Sequence, residues 1–299
     1  MKLLFCGSGW LPVVDCVRQR LDDGDTIEIW DRQLALTSAV ADADVILPSN
    51  AAITEQVINA ATKLTLIQQP AAGVDAIDVE AATRRNVPVC NAPGANHLAV
   101  AEATLLLMLA LARRLPRAQA SFAAREIGVP LGVELHSRHL GIVGLGRIGS
   151  AVAERAAALG MTVHSVRSAN SRSELHDMLG ACDVVTIHAP LTEATRGLFD
   201  DEAFAAMKPG ATIINCSRGP LIERDALVRA LDSGHLGGAG LDVFWQEPWN
   251  PDDPLFRRDD VITLPHIAGS TEESFARIAN IVAENLRRLK TGEPLLHQL

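Results

Sequence analysis

The sequence predicts an α/β protein of two domains, each a parallel sheet with crossover helices. Three observations carry that prediction. The 299 residues amount to about two average domains, because a single core stops growing at about 250 to 300 residues. Short apolar runs alternate with helix-like segments from residue 2 to residue 91, and the alternation restarts after one long Ala- and Leu-rich stretch. The hydrophobic fraction of 48% beside 21% charged residues is enough for sizeable cores and too apolar for disorder.

In chain order, the first strands are KLLFC (2 to 6), TIEIW (26 to 30), DVILP (44 to 48), TLIQQ (65 to 69) and VPVCN (87 to 91), with helical patterns at 52 to 62 and 78 to 85 among the segments between them. A helix follows from about His97 to Arg114, rich in Ala, Leu and Met, with Pro116 just past its end; it reads as a bridge to the second domain. There the runs are LGIVGLG (140 to 146), MTVHSV (161 to 166), DVVTIHA (183 to 189), ATIINC (211 to 216), GAGLDVF (238 to 244) and VITLPH (261 to 266). They are continuously apolar, as strands buried on both faces of a doubly wound sheet are. A last helix pattern, 272 to 290, has no strand after it and is expected to pack back on the first domain.

The net charge of −9, spread without a basic tract, argues against a nucleic-acid partner. Five cysteines (Cys6, Cys16, Cys90, Cys182, Cys216) lie far apart without a CxxC pair or a Cys/His cluster, so no metal site is expected and a reduced cytoplasm fits. The N-terminus MKLLFCG lacks a signal-peptide core. The longest apolar stretch, 98 to 112, contains Glu102 and falls short of the roughly 20 residues that span a bilayer. The expectation is a soluble protein with no membrane partner.

Gly144, Gly146 and Gly149 spell GxGxxG directly after the strand LGIV and before the helix pattern SAVAERAAALG. In that setting the first glycine makes the tight turn, the second admits a pyrophosphate to the backbone, and the third lets helix and strand pack closely, which is the Rossmann dinucleotide site. Arg147 and Ile148 open the helix, whose N-H groups and dipole face the phosphates. A similar Gly7-Ser8-Gly9 has Pro12 where the third glycine belongs and is rejected. About 20 residues past such a motif an acid usually meets the ribose hydroxyls of NAD. Here the strand ends at Val166 and is followed by Arg167 and Ser168 in RSANSR, a set that suits a 2′-phosphate, so NADP(H) is favoured over NAD(H).

Ligands of open α/β sheets bind beyond the carboxyl ends of the strands. The residues there are Arg167, then His188, Ala189 and Pro190, then Ser217, Arg218 and Gly219, then Asp242 to Glu247, then His266. Their types suit reduction of a 2-oxo acid. Arg218 offers a forked guanidinium to a carboxylate and the neighbouring carbonyl oxygen, His266 a proton near neutral pH, and Glu247 a partner that orients the imidazole and favours its charged form.

Several stretches then make the chain resemble the D-isomer-specific 2-hydroxyacid dehydrogenases over most of its length: AAGVDAIDVEAATRRNVPVCNAPGANHLAVAE (71 to 102), GIVGLGRIG (141 to 149), HAPLTEATRGLF (188 to 199), MKPGATIINCSRGPLI (207 to 222), GLDVFWQEP (240 to 248) and LPHIAGST (264 to 271). The resemblance implies that Arg218, Glu247 and His266 are the catalytic trio, that backbone N-H groups near Ala72 and Gly73 hold the substrate carboxylate together with Arg218, and that Asp242 meets the nicotinamide amide. It also places Ala189, Cys216 and Gly269 along the cofactor, with Cys216 a neighbour of the ring and no nucleophile.

The same resemblance implies a flavodoxin-like substrate domain of residues 1–96 completed by 272–299, a dinucleotide-binding domain of 97–271 and a cleft between them. Segment 115 to 139 resembles the arm through which family members form homodimers. Arg167 resembles the NADP-using glyoxylate and hydroxypyruvate reductases, and those acids are the expected substrates. Gln69-Pro70 departs from the basic and serine residues that many relatives carry there, while Glu247 argues against formate dehydrogenase and Ala72 against phosphite dehydrogenase. The alternatives are an NAD-linked D-3-phosphoglycerate or D-lactate type dehydrogenase and, in another class, a nucleotide-sensing corepressor-like scaffold. The pocket for the substrate side chain is expected from loops 47–50 and 69–73, with Trp10, Trp245 or Trp249 as further candidates.

Overall fold

The structure, a computed structural model, describes residues 1–167 and 171–299 and divides into two compact units, Met1–Asn96 with Ser270–Leu299, and His97–Gly269. Ser168 lies outside the described residues.

The first unit alternates β1 (Lys2–Phe5), α1 (Pro12–Arg18), β2 (Thr26–Ile29), α2 (Leu36–Ala39), β3 (Val45–Leu47), α3 (Glu55–Ala60), β4 (Leu66–Gln68), α4 (Val79–Arg84) and β5 (Val89–Cys90). All pairings are parallel in the order β2-β1-β3-β4-β5, the flavodoxin-like arrangement. Strands β3 and β4 are buried at every residue, the reason their sequence shows no polar alternation. Thr54 and Asp78 start α3 and α4 by accepting the N-H groups of Val57 and Ala81. The C-terminal helix, Glu272–Thr291, starts with a Thr271/Ser274 capping box and packs on α1, burying Ile278, Ala279, Val282 and Leu286 beside Val13, Val14 and Val17. Each fully buried Val, Leu or Ile contributes about 1.5–3 kcal/mol. A buried hydrogen bond from Asn285 Nδ2 to Gln68 Oε1 (2.6 Å) ties that helix to β4.

The second unit begins with α5 (His97–Ala112) and α6 (Leu115–Ala124) and continues β6 (His139–Val143), α7 (Arg147–Ala158), β7 (Thr162–Val166), α8 (Arg172–Ala181), β8 (Val184–Ile187), α9 (Asp201–Ala206), β9 (Thr212–Asn215), α10 (Arg224–Asp232), β10 (Gly238–Leu241) and β11 (Val261–Thr263). The sheet order is β11-β10-β9-β8-β6-β7, parallel throughout. The chain leaves central β6 first for β7 and then for β8, so the strand order reverses at the β6/β8 junction, where doubly wound sheets bind ligands.

Helix α5 is apolar on nearly every side because it packs on α7 and across β9 and β10. It comes so close that a Cβ on Gly240 would lie 3.0 Å from Leu107 Cβ. It stops at Ala112, two residues short of the expected end, because Arg114 turns left-handed (φ 51°) and Pro116 opens the unanticipated α6. A further correction concerns burial. Only the inner strands are covered on both faces, whereas β7 exposes Thr162 and Ser165 and β11 exposes Thr263, since both strands are sheet edges.

Candidate active site

The glycine motif forms the cradle that its spacing predicts. Gly144 (φ +98°) follows β6, and a Cβ there would lie 2.6 Å from the His188 backbone, so only glycine lets β6 and β8 end this close together. A Cβ on Gly149 would sit 2.1 Å from Gly144 O, which makes this glycine the contact between helix and turn. Gly146, the N-cap of α7, supplies no side-chain cap, and a Cβ on it would meet no heavy atom within 4 Å. Backbone donors at the start of a 12-residue helix, open space and a positive dipole end fit a dinucleotide pyrophosphate. Exposed Arg147 and half-buried Ile148 open that helix. Arg167 is exposed directly after β7. The next acid, Glu174, is engaged in the capping box of α8. Half-buried Ala189 and exposed Pro190 follow β8 beside His188, whose Nε2 lies 3.0 Å from Thr186 Oγ1 and whose burial pushes its pKa down to about 3. That ring is neutral at physiological pH.

The chemical trio follows β9, β10 and β11, three adjacent strands. At the last residue of β9, buried Asn215 accepts the N-H of Ser217 (3.0 Å) through Oδ1 and donates through Nδ2 to Arg218 O (2.8 Å), while Ser217 Oγ donates to Ile187 O (2.7 Å). These bonds hold half-buried Arg218 at the strand end, and its Nη1 donates to Ser217 O (2.8 Å). The next residue, Gly219, admits the 243–248 loop so closely that a Cβ would lie 2.2 Å from Phe244 C. Loop and arginine are neighbours for that reason.

Within that loop Glu247 accepts the Phe244 N-H through Oε1 (3.1 Å) and meets His266 Nδ1 through Oε2 at 2.7 Å. Burial alone would raise the Glu247 pKa. The hydrogen bond and charge of His266, the Phe244 N-H and the Arg218 guanidinium outweigh burial and hold it below the usual carboxylate range. Trp245 donates to Ile222 O (2.6 Å) and Trp249 packs on Phe244 (4.6 Å between centroids). Both indoles anchor the loop to the unit's core.

His266 has a left-handed backbone (φ 55°), rare for a residue with a Cβ, and the segment after it is clamped. Asp242, fully buried at the end of β10, accepts the N-H of Ile267 (2.7 Å) and of Ala268 (3.0 Å) on its two oxygens. Burial pushes its pKa up to about 6 against those two hydrogen bonds. Gly269 follows the clamp and closes the unit. Burial likewise pushes the Cys216 thiol up to about 12, so it is no thiolate nucleophile.

Ala72 and Gly73 lie on the first unit, in a loop whose carbonyls are pinned in succession. Ala71 O accepts from Ala92 N (2.9 Å), Ala72 O from Asn91 Nδ2 (2.8 Å) and Gly73 O from Gln69 Nε2 (2.9 Å). Among the described residues no acceptor takes the N-H of Ala72 or Gly73. These two successive N-H groups are therefore available to an outside acceptor.

Sequence reasoning placed the trio and missed its supports. Asn215 heads the segment Asn-Cys-Ser-Arg at a strand end, an Asx-turn signal that was legible. The roles of Asn91, of Gln69 and of Asp242 as a backbone clamp depend on residues far away in sequence and left no local signal. Among the described residues no group of three or more His, Cys, Asp or Glu is poised for a metal, and no helix is long and apolar enough to cross a membrane.

A parallel sheet with a glycine cradle at its switch point and an Arg, Glu and His set beyond neighbouring strands defines a dinucleotide-binding α/β protein equipped for acid-base chemistry. Residues 105–268 match the model of the D-isomer specific 2-hydroxyacid dehydrogenase, NAD binding domain, and the chain belongs to that family. It is 38% identical over 293 residues, 93% of its length, to a D-3-phosphoglycerate dehydrogenase of Bacillus subtilis, of which it covers 55%. The chain spans about half the length of the curated relatives it matches. Among solved structures it resembles the TT0316 protein of Thermus thermophilus (TM-score 0.90, 34% identity, all of both chains). It also resembles a glyoxylate reductase from Paecilomyes thermophila (TM-score 0.83, 28% identity, 100% of this chain and 98% of that one).

Proposed function

We propose that this chain exchanges a hydride between a nicotinamide dinucleotide and carbon 2 of a small 2-oxo or D-2-hydroxy acid. The observation that carries the reading is the 2.7 Å Glu247–His266 pair beside Arg218 at the ends of adjacent strands. Arg218 binds the carboxylate and the adjacent oxygen as a fork. With Nδ1 held by Glu247, His266 exchanges the proton at Nε2: it protonates the carbonyl oxygen in reduction and takes the hydroxyl proton in oxidation. The nicotinamide, when bound, supplies or accepts the hydride.

Two finer readings have specific support. The curated relatives' name favours a D-3-phosphoglycerate type of reaction, the alternative among the sequence expectations. Arg167 in place of an acid supports the expected NADP(H) preference, and the likeness to a glyoxylate reductase supports the expected reduction of glyoxylate. Hydroxypyruvate and the oxidised form of phosphoglycerate share a three-carbon 2-oxo acid with oxygen at carbon 3, and that skeleton is the substrate we assign. A homodimer is part of the proposal, supported by the exposed apolar side chains of Phe122, Ile127 and Leu131 in the expected arm; light scattering on the purified chain measures it.

The test of the reaction is loss of NADPH or NADH absorbance with hydroxypyruvate, glyoxylate, pyruvate and 3-phosphohydroxypyruvate, beside a His266→Ala control. Turnover abolished in the control is expected. Turnover that survives in the control, or no turnover of any acid, overturns the reading.

A further inference from the structure

Beyond the C-terminal helix the chain turns at Gly292 (φ 72°) and runs antiparallel along β5, the edge strand of the first unit's sheet. Leu299 N donates to Val89 O (3.0 Å) and Asn91 N to His297 O (3.2 Å), the pattern of an antiparallel pair centred on Cys90 and Gln298. Just before it, buried Asn285 of the helix grips Leu296 at both backbone groups, accepting its N-H (2.7 Å) and donating to its carbonyl (3.1 Å). Residues 297–299 are exposed, so main-chain hydrogen bonds and not burial keep them on β5. Segments held in that way open at little free-energy cost.

Asn91, whose N-H goes to His297, also reaches inward to the 71–73 turn. Its Nδ2 donates to Ala72 O (2.8 Å), and the next residue, Ala92, donates through its N-H to Ala71 O (2.9 Å). From the other side, Gln69 Nε2 donates to Gly73 O (2.9 Å) and to Ser49 O (3.0 Å). A peptide unit is planar and trans, so fixing a carbonyl fixes the next N-H in the opposite direction. The bond to Ala71 O therefore aims the N-H of Ala72, and the bond from Asn91 to Ala72 O aims the N-H of Gly73. These are the two donors that the turn leaves to an outside acceptor.

We propose that residues 294–299 are a strap: paired with β5 they hold Asn91, and through its side chain they set the aim of the Gly73 N-H and so the donor pair of the turn. Release of the strap from β5 disarms that pair. The strap rests on bonds inside the first unit alone. Its effect on turnover rests on the hydride-transfer reading together with the resemblance, which assigns these N-H groups to a substrate carboxylate.

The test is NMR on the full chain, unaltered and as Leu299→Pro, Asn91→Ala and the double variant. Leu299→Pro removes the N-H that meets Val89 and touches no residue of the turn. In it the Asn91 amide is expected to lose about 2- to 10-fold of its protection from hydrogen exchange, and the Gly73 amide resonance is expected to move. Asn91→Ala should move that resonance the same way and further, and the double variant should match Asn91→Ala, because the strap acts through that side chain. Unchanged protection at Leu4 and Ile46, buried in β1 and β3, shows that each variant is folded. A Gly73 resonance that stays in place in Leu299→Pro overturns the strap, and so does a double variant whose displacement is the sum of the two singles. KM for hydroxypyruvate, with kcat and dinucleotide affinity beside it, separates the two readings. A raised KM with the other two retained supports both. Displaced resonances with an unchanged KM keep the strap and remove the turn from substrate binding. No turnover by the unaltered protein removes the hydride-transfer reading, and the resonances still decide the strap.

Discussion

Replacing Glu247 by Gln isolates the partner of His266. The amide keeps an oxygen for the Phe244 N-H (3.1 Å in the native loop) and presents an NH2 group to His266 Nδ1 where the carboxylate stood at 2.7 Å. What is lost is the charge that favours imidazolium. A hydrogen bond between charged groups contributes about 1.5–3 kcal/mol. The side chains of His266 and Glu247 are 30% and 24% exposed, so water screens part of that effect and the lower end applies. At about 1.4 kcal/mol per tenfold in rate, losing that bond should lower kcat/KM about 10-fold. Because Glu247 is held below the usual carboxylate range, it is ionised at neutral pH and its support is lost only as pH falls through that lowered value. The assay is kcat/KM for reduction by the two proteins at neutral pH, with dinucleotide affinity measured beside it; the about 10-fold loss should fall on kcat/KM with dinucleotide affinity retained. An unchanged kcat/KM in Glu247→Gln would refute the assigned partnership.

Arg218→Lys keeps the charge and removes the fork, so kcat/KM should fall by about 100-fold or more with dinucleotide affinity retained; an unchanged kcat/KM contradicts the anchor. Gly149→Ala places a Cβ 2.1 Å from Gly144 O. Overpacking of this kind costs about 1–3 kcal/mol, and at roughly 2–4 °C per kcal/mol calorimetry should show a Tm lower by several degrees together with weaker dinucleotide binding. Arg167→Asp should turn preference from NADPH toward NADH, read as the ratio of the two KM values; a native preference for NADH removes the premise. Asp242 titrates at about 6, so the amide shifts of Ile267 and Ala268 should move through a common midpoint near that pH, and flat shifts between pH 5 and 7 would show that the carboxyl does not clamp them.

Legibility followed the range of each interaction. The runs at 45–47 and 66–68 were readable as inner strands because both faces of those strands are covered, which removes every polar position. The same reasoning overreached at Thr162 to Val166, where an apolar average concealed an edge strand with one open side. Helix α6 went unseen because its start is set by a left-handed Arg114, a backbone state that no side-chain pattern announces. At the candidate site, the close turn at Gly144 and Gly149 was legible because spacing alone encodes it, and the Glu247–His266 contact because the two residue types complement each other. Gln69 looked like a mere departure from the family pattern. Its function lies in two carbonyls 20 and 4 residues away, a relation that only the folded chain displays.

The clamp on His266 explains why residue 242 is an acid and not its amide. A left-handed backbone at a residue with a Cβ costs roughly 1–2 kcal/mol, and the two N-H groups that follow His266 must both be satisfied if the turn is to hold. Asn has one acceptor oxygen and would turn its own N-H groups toward one of them; a carboxylate of the same length accepts both, on Oδ1 at 2.7 Å and Oδ2 at 3.0 Å. Ionising it in a fully buried place has a cost, visible as the rise from 3.8 to about 6, a difference of about 2.2 units or roughly 3 kcal/mol. The sign is opposite to that of Glu247: the protonated form is favoured by folding, so Asp242 stabilises the unit below its ordinary pKa and that contribution disappears as pH rises to about 6. At neutral pH the unit therefore carries both a strained histidine and a desolvated carboxylate, sustained by the packing of β9 and β10, whose residues are nearly all buried. Such a concentration of cost at the end of one strand is expected where a side chain must be held in one position for chemistry, and it fixes the backbone directly after the imidazole that meets Glu247.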